Sequence, residues 1–177
     1  MALIISIDDL KTVCGISKKF DPNYLDSMIV QATDLATQNV LGTALTVKLR
    51  TDYNNGGLSG IYATLWDSDE ASVKKLLCWQ TYQLALPRML YKIGAATISK
   101  GNTNEESIEK EELGLLIRQA DATRVSYENR VKDFLTNNYS SIPELSNTTL
   151  GYLKPNTEES NTSMGLSFGT NNRFTDF

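Results

Sequence analysis

The sequence predicts a mainly α protein, a bundle of about four to five helices followed by an extended polar tail. Three observations carry this. Helix starts and stops punctuate the first 42 residues, a stretch from residue 76 to 93 is apolar on nearly every side, and composition changes abruptly after residue 139. A length of 177 residues suits one domain. The expected division is a helical core over 1–139 and a tail over 140–177 that orders only on a partner.

Ser6 can cap a short helix carrying Ile7, Leu10 and Val13, and Gly15 ends it. Asp21-Pro22 opens a second helix over residues 22–41, because proline at the first helical position loses no intrahelical hydrogen bond. Leu25, Met28, Ile29, Ala32 and Ala36 share one face, and Gly42 stops it. A further short helix is expected over 43–50, then a flexible loop at Asn54-Asn55-Gly56-Gly57-Leu58-Ser59-Gly60. The apolar run 61–66 fits either a strand or a short helix.

Asp67-Ser68-Asp69-Glu70 reads as a helix start, with carboxylates at the positive end of the dipole. The helix that follows, to about Ile93, is predicted to be buried all round, either at the centre of the domain or clamped between subunits. Pro87 lies inside it and predicts a kink or break near Leu86. Ala96-Thr97-Ile98-Ser99 is a candidate extended piece that could pair with Ser107-Ile108 in a short β-hairpin. A long polar helix starts at Asn104 or Ser107 and ends near Asn138, with Leu113, Leu116, Ile117, Ala120, Tyr127, Val131, Phe134 and Leu135 as its stripe.

The chain offers little catalytic chemistry. With no histidine, it lacks histidine-based triads, histidine metal sites and histidine pH switches. Cys14 and Cys78 sit in apolar helical stretches and read as buried free thiols, which suits a reducing compartment. The first six residues carry no positive charge, so no signal peptide is expected, and no stretch reaches the ~18 apolar residues of a membrane helix. Net charge is −4, and Arg118, Arg124, Arg130 and Lys132 are spread around their helix instead of forming a stripe that grips nucleic acid. The acidic group from Glu105 to Glu112 reads as a solvated helix start, and the glycine loop lacks the Gly-Lys-Ser/Thr of a phosphate loop. No enzyme activity, cofactor or metal is expected.

Contact chemistry is more visible. Trp79, Tyr82 and Tyr91 on the apolar helix are candidate subunit contacts, and Asn55, Gly56, Gly57 and Leu58 form a candidate interaction loop. More than half of the tail is Ser, Thr, Asn or Gly, yet Tyr152, Leu153, Met164, Leu166, Phe168, Phe174 and Phe177 are spaced along it like anchors. Of these, Tyr152, Phe168, Phe174 and Phe177 are the candidate partner contacts. Truncation at Ser140 is expected to leave a folded core and weaken attachment to that partner.

Assembled, these pieces resemble the head–tail connector proteins of tailed bacteriophages, the adaptor or neck proteins, and are most similar to the ring proteins of crAss-like phages. The resemblance spans residues 4–139 and rests on Ile7-Asp8-Asp9-Leu10-Lys11, Gly15-Ile16-Ser17, the Asp21-Pro22 helix ending Val40-Leu41-Gly42-Thr43, the stretch from Lys74-Lys75-Leu76 through Leu86-Pro87 and Tyr91-Lys92 to Lys100-Gly101, and Asp133-Phe134-Leu135. The 54–60 loop is longer than usual, and the polar tail is not a general feature of the group. The resemblance implies a structural virion protein, made in the host cytoplasm. It implies a homo-oligomeric ring, commonly a dodecamer, beneath the portal, in contact with portal, neck or tail proteins. DNA would pass through its channel without sequence-specific binding, and no membrane, enzyme activity or cofactor is implied. The alternative from a different class is a cytoplasmic helical adaptor or regulator that binds one protein partner.

Overall fold

A computed structural model describes residues 5–16, 22–99 and 110–153, and among them every regular element is helical. The order is α1 (Ile7–Cys14), α2 (Pro22–Ala36), a π-turn (Thr37–Leu41), α3 (Thr43–Asn54), α4 (Ile61–Trp66), α5 (Val73–Ser99) and α6 (Lys110–Asn137). Three single 3-10 turns follow at Tyr139–Ser141, Pro143–Leu145 and Gly151–Leu153.

Local chemistry explains the first element. The Ser6 hydroxyl accepts from the Asp9 amide at 3.0 Å while the Asp9 carboxylate accepts from the Ser6 amide at 3.0 Å. Two otherwise unpaired amides are satisfied at once, and Gly15 takes the left-handed conformation that closes the helix. α2 is shorter than the 22–41 expected. Its last turn opens into a π-turn, in which the Gly42 amide donates back to the Thr37 carbonyl at 2.8 Å. The chain then leaves through Gly42 at φ 74°, ψ 159°, a conformation that side chains with a Cβ resist.

α5 is the centre of the molecule. Every side chain described from Val73 to Leu86 is buried or half-buried, and α1, α2, α4 and α6 all pack against this helix. Its start differs from the expectation. Residues 67–72 form a turn, and the cap is Ser72, whose hydroxyl accepts from the Lys75 amide at 3.2 Å. Of the acids before it, Asp67 serves ion pairs instead, facing Lys74 and Lys75. The helix runs through Pro87 without a break and on to Ser99. The first arm of the expected β-hairpin, residues 96–99, is therefore helical. Extending a formed helix adds one hydrogen bond per residue fixed, and Ala95-Ala96 favours that over nucleating a hairpin. The second arm, with Glu105, Glu106 and Glu109, lies outside the described residues.

The boundary expected at 139/140 is also corrected. Ile142 and Leu145 are fully buried, and Leu150 and Leu153 nearly so, all in the same core as the helices. Residues 139–153 therefore form a strap that closes the bundle. Its polar composition hid four aliphatic side chains placed to enter the core, and 154–177 lie outside the described residues.

Candidate interaction surfaces

The strap touches the body at points far apart in sequence. The Tyr62 hydroxyl donates to the Glu144 carboxylate at 2.7 Å, and the Tyr152 hydroxyl donates to the Val40 carbonyl of the π-turn. Lys132 of α6 lies 5.4 Å above the Tyr152 ring, and Lys48 lies 5.5 Å from the centre of the Tyr62 ring. Burial, followed by the Glu144 and Asp52 carboxylates, pushes the Tyr62 phenol up to about 12. Burial also pushes Tyr152 up. Both phenols thus stay protonated donors across the physiological range.

Between the strap and the start of α3 lies a cleft of about 530 Å³, lined by Thr37, Gln38, Gly42, Thr43, Glu144 and Thr148 among others. Behind Thr37 on one wall lies a group of buried threonine hydroxyls. The Thr37 hydroxyl donates to the Thr33 carbonyl at 2.7 Å and lies 3.0 Å from that of Thr46, which bonds the Gly42 carbonyl at 2.9 Å. The other wall comes within 2.9 Å of where a Cβ on Gly42 would sit, at the Thr148 hydroxyl. Gly42 was legible in sequence only as a helix stop. Its second task, admitting the strap, needs a residue more than a hundred positions away.

The contact residues expected from sequence do not form one site. Trp79 and Tyr82 meet edge to face on α5 with ring centres 5.7 Å apart, both half-buried. Tyr82 packs onto the core. Tyr91 lies on α5 beyond Pro87, where the backbone alone is described. Asn55, Gly56 and Gly57 are exposed at the end of α3, while Leu58 turns in against the core. Tyr152 is built into the strap, so its ring serves this chain's own fold. Phe168, Phe174 and Phe177 lie outside the described residues.

Cys14 is half-buried and Cys78 fully buried, both as free thiols. Burial pushes Cys14 up to about 12 and Cys78 higher still, which suppresses thiolate reactivity. Among the described residues, no group of three or more acidic or cysteine side chains is placed to hold a metal ion. No described helix is long and apolar enough to cross a membrane.

On α6 four charged side chains form one ion-pair network. Arg124 bridges Asp121 at 2.9 Å and Glu128, and Lys132 meets Glu128 at 2.6 Å. Burial alone would raise the Glu128 carboxyl, but these two cations outweigh it and hold it below its ordinary value. The outward face of the same helix carries Leu115, 56% exposed, and Val125, 37% exposed. Sequence reasoning missed this second apolar stripe because the periodicity of the buried one dominated the helix.

No curated protein and no solved structure matches the chain. A family model does match, over residues 37–150, from the first residue of the π-turn to Leu150 of the strap. That span leaves out α1, α2 and the tail but takes in the cleft, both long helices and most of the strap. It covers well over half of the sequence, and the chain belongs to this family of unknown function, DUF6712.

Proposed function

We propose that the chain is a structural protein of a bacteriophage neck, one of several copies in a ring below the portal that links capsid to tail and extends the DNA channel. The observation that carries the reading is where the segments resembling connector proteins lie. Ile7-Asp8-Asp9-Leu10-Lys11 and the stretch from Lys74 to Leu86 are separated by three whole helices, α2, α3 and α4, in sequence. In the fold they meet, with Lys74 and Asp9 paired at 3.0 Å and Leu10, Leu76 and Leu77 in one core. The resembling residues thus form a shared framework. Two further features agree with it. The molecule is a small helical body with a central helix enclosed by its neighbours. On α6, Arg124 and Lys132 are paired with carboxylates, which lowers the positive charge this surface offers to DNA.

The test is to express the full chain alone and with a portal protein from the genome that encodes it, then to size and image both preparations by negative stain. A closed ring stacked on the portal is the expected result. A monodisperse monomer or dimer that ignores the portal would overturn the reading in favour of a cytoplasmic adaptor.

A further inference from the structure

A surface helix of a folded protein normally presents charge on the side away from its core. α6 does not do so over the four turns from Leu115 to Asn129. With Leu115 set at 0° and ~100° per residue, the buried Ala120, Val131, Phe134 and Leu135 fall between about 100° and 200°. The ion pairs of Asp121, Arg124, Glu128 and Lys132 fall between about 180° and 260°. The outward sector, from about 280° to 360°, holds Leu115, Arg118, Ala122, Val125 and Asn129, all exposed. One charge in five positions and two large aliphatic side chains make this a face prepared for cover.

The chain itself supplies a cover of matching chemistry and reach. The strap delivers Tyr152 to the flank of α6, under Lys132 at about 260°, beside the outward sector. Val125 lies two turns along from Lys132, or about 10 Å, and Leu115 about 25 Å. After Leu153 another 24 residues follow. Residues 154–163 can span up to roughly 33 Å, which reaches the whole face. Residues 160–172 then carry no charge, and Met164, Leu166 and Phe168 alternate with small residues, a period that puts three apolar side chains on one side of an extended segment. Met164 to Phe168 spans about 13 Å extended, against about 15 Å from Leu115 to Val125.

The geometry points to residues 160–172 of the same chain as the occupant of this face, with Met164, Leu166 and Phe168 laid along Leu115, Ala122 and Val125. The docked segment covers the exposed aliphatic side chains of α6 and carries Phe174 and Phe177 away from the strap. This is independent of ring formation, because it is a contact within one chain.

Disulfide trapping in the full-length protein tests it. Val125→Cys is combined in turn with Met164→Cys, Leu166→Cys and Phe168→Cys, with exposed Thr51→Cys on α3 replacing Val125→Cys as the control. The native thiols, one half-buried and one buried, are poorly ionised, so they compete weakly. The expected result is a bond within the monomer for at least one α6 pair, independent of protein concentration. It should exceed the control by about tenfold, since a docked segment is held far more closely than a flexible linker holds two ends. Hydrogen exchange supplies a second readout, with protection over 160–172 that Val125→Glu abolishes while the helical signal is kept. Bonds found only between chains would assign the face to the tail of another copy and overturn docking in the same chain. Trapping no better than the control, or no protection in the unmodified protein, would overturn docking altogether.

Discussion

α1 and the strap do the same job at opposite ends of the chain. Each is a short segment that lays aliphatic side chains on the long helices, Ile7 and Leu10 from one and Ile142, Leu145, Leu150 and Leu153 from the other. They are held by different physics. α1 is specified within ten residues, by a reciprocal cap at Ser6 and Asp9 and a left-handed stop at Gly15. The strap has three isolated 3-10 turns and no regular helix of its own, and its links reach back to Tyr62 and Val40. A segment can therefore be integral to a core with almost no local signal, provided its few apolar residues arrive at the right places.

The strongest way to break this comparison is truncation. Ending the chain after Asn138 removes four buried aliphatic side chains. At ~1.5–3 kcal/mol each this approaches the whole stability of a typical domain, about 5–15 kcal/mol. Loss of the cooperative thermal transition is expected by circular dichroism, whereas a chain ending at Leu153 should keep it. A folded 1–138 fragment would restore the boundary expected from composition.

Leu145→Ala and Leu10→Ala compare the two segments at single, fully buried positions. Each should cost about 2–5 kcal/mol in chemical denaturation. Equal costs would place the strap on a par with α1, and a negligible cost at Leu145 would mean that the strap rides on a finished core. Gly42→Ala probes the strap's seat. The substitution puts a Cβ 2.9 Å from the Thr148 hydroxyl at positive φ, and about 1–3 kcal/mol of destabilisation is expected. An unchanged denaturation midpoint would show that backbone and strap adjust freely.

The smallest effect belongs to the cap. Ser6→Ala should cost about 0.5–2 kcal/mol. Asp9 adds a pH signature. Burial alone would raise its carboxyl, but the bonds from Ser6 and the Lys74 ammonium outweigh burial and hold it below its ordinary value. Its contribution is therefore present above that value and lost as pH falls through the lower folded one. Asp9→Asn should lower stability at neutral pH and flatten the decline below pH ~4, read from midpoints across a pH series. The same slope in both proteins would remove Asp9 from acid unfolding.

What sequence made legible follows the same divide. The helical class, both ends of α1, the apolar face of α2 and the enclosed α5 follow from periodicity and caps, signals within a few residues. The start of α5 was misplaced because the acids at 67–70 resemble a helix start, whereas the cap is Ser72, whose hydroxyl also meets the Trp66 carbonyl and the Asp67 carboxylate. The π-turn was hidden because it differs from an α-turn by one residue in a hydrogen-bond register. The strap was hidden because its apolar residues follow no helical or strand period. Trp79 and Tyr82 were singled out as contact candidates by their apolarity and position on α5, while the outward stripe of α6 needed the helix to be oriented against its core.

The measurement that bears most directly on the account is electron microscopy of the full chain mixed with the portal protein of the proposed neck. The account predicts a closed ring on the portal's tail-side face, with the long helices α5 and α6 arranged around a continuous channel. A portal left bare at saturating protein, or one decorated by isolated copies without a ring, would contradict it.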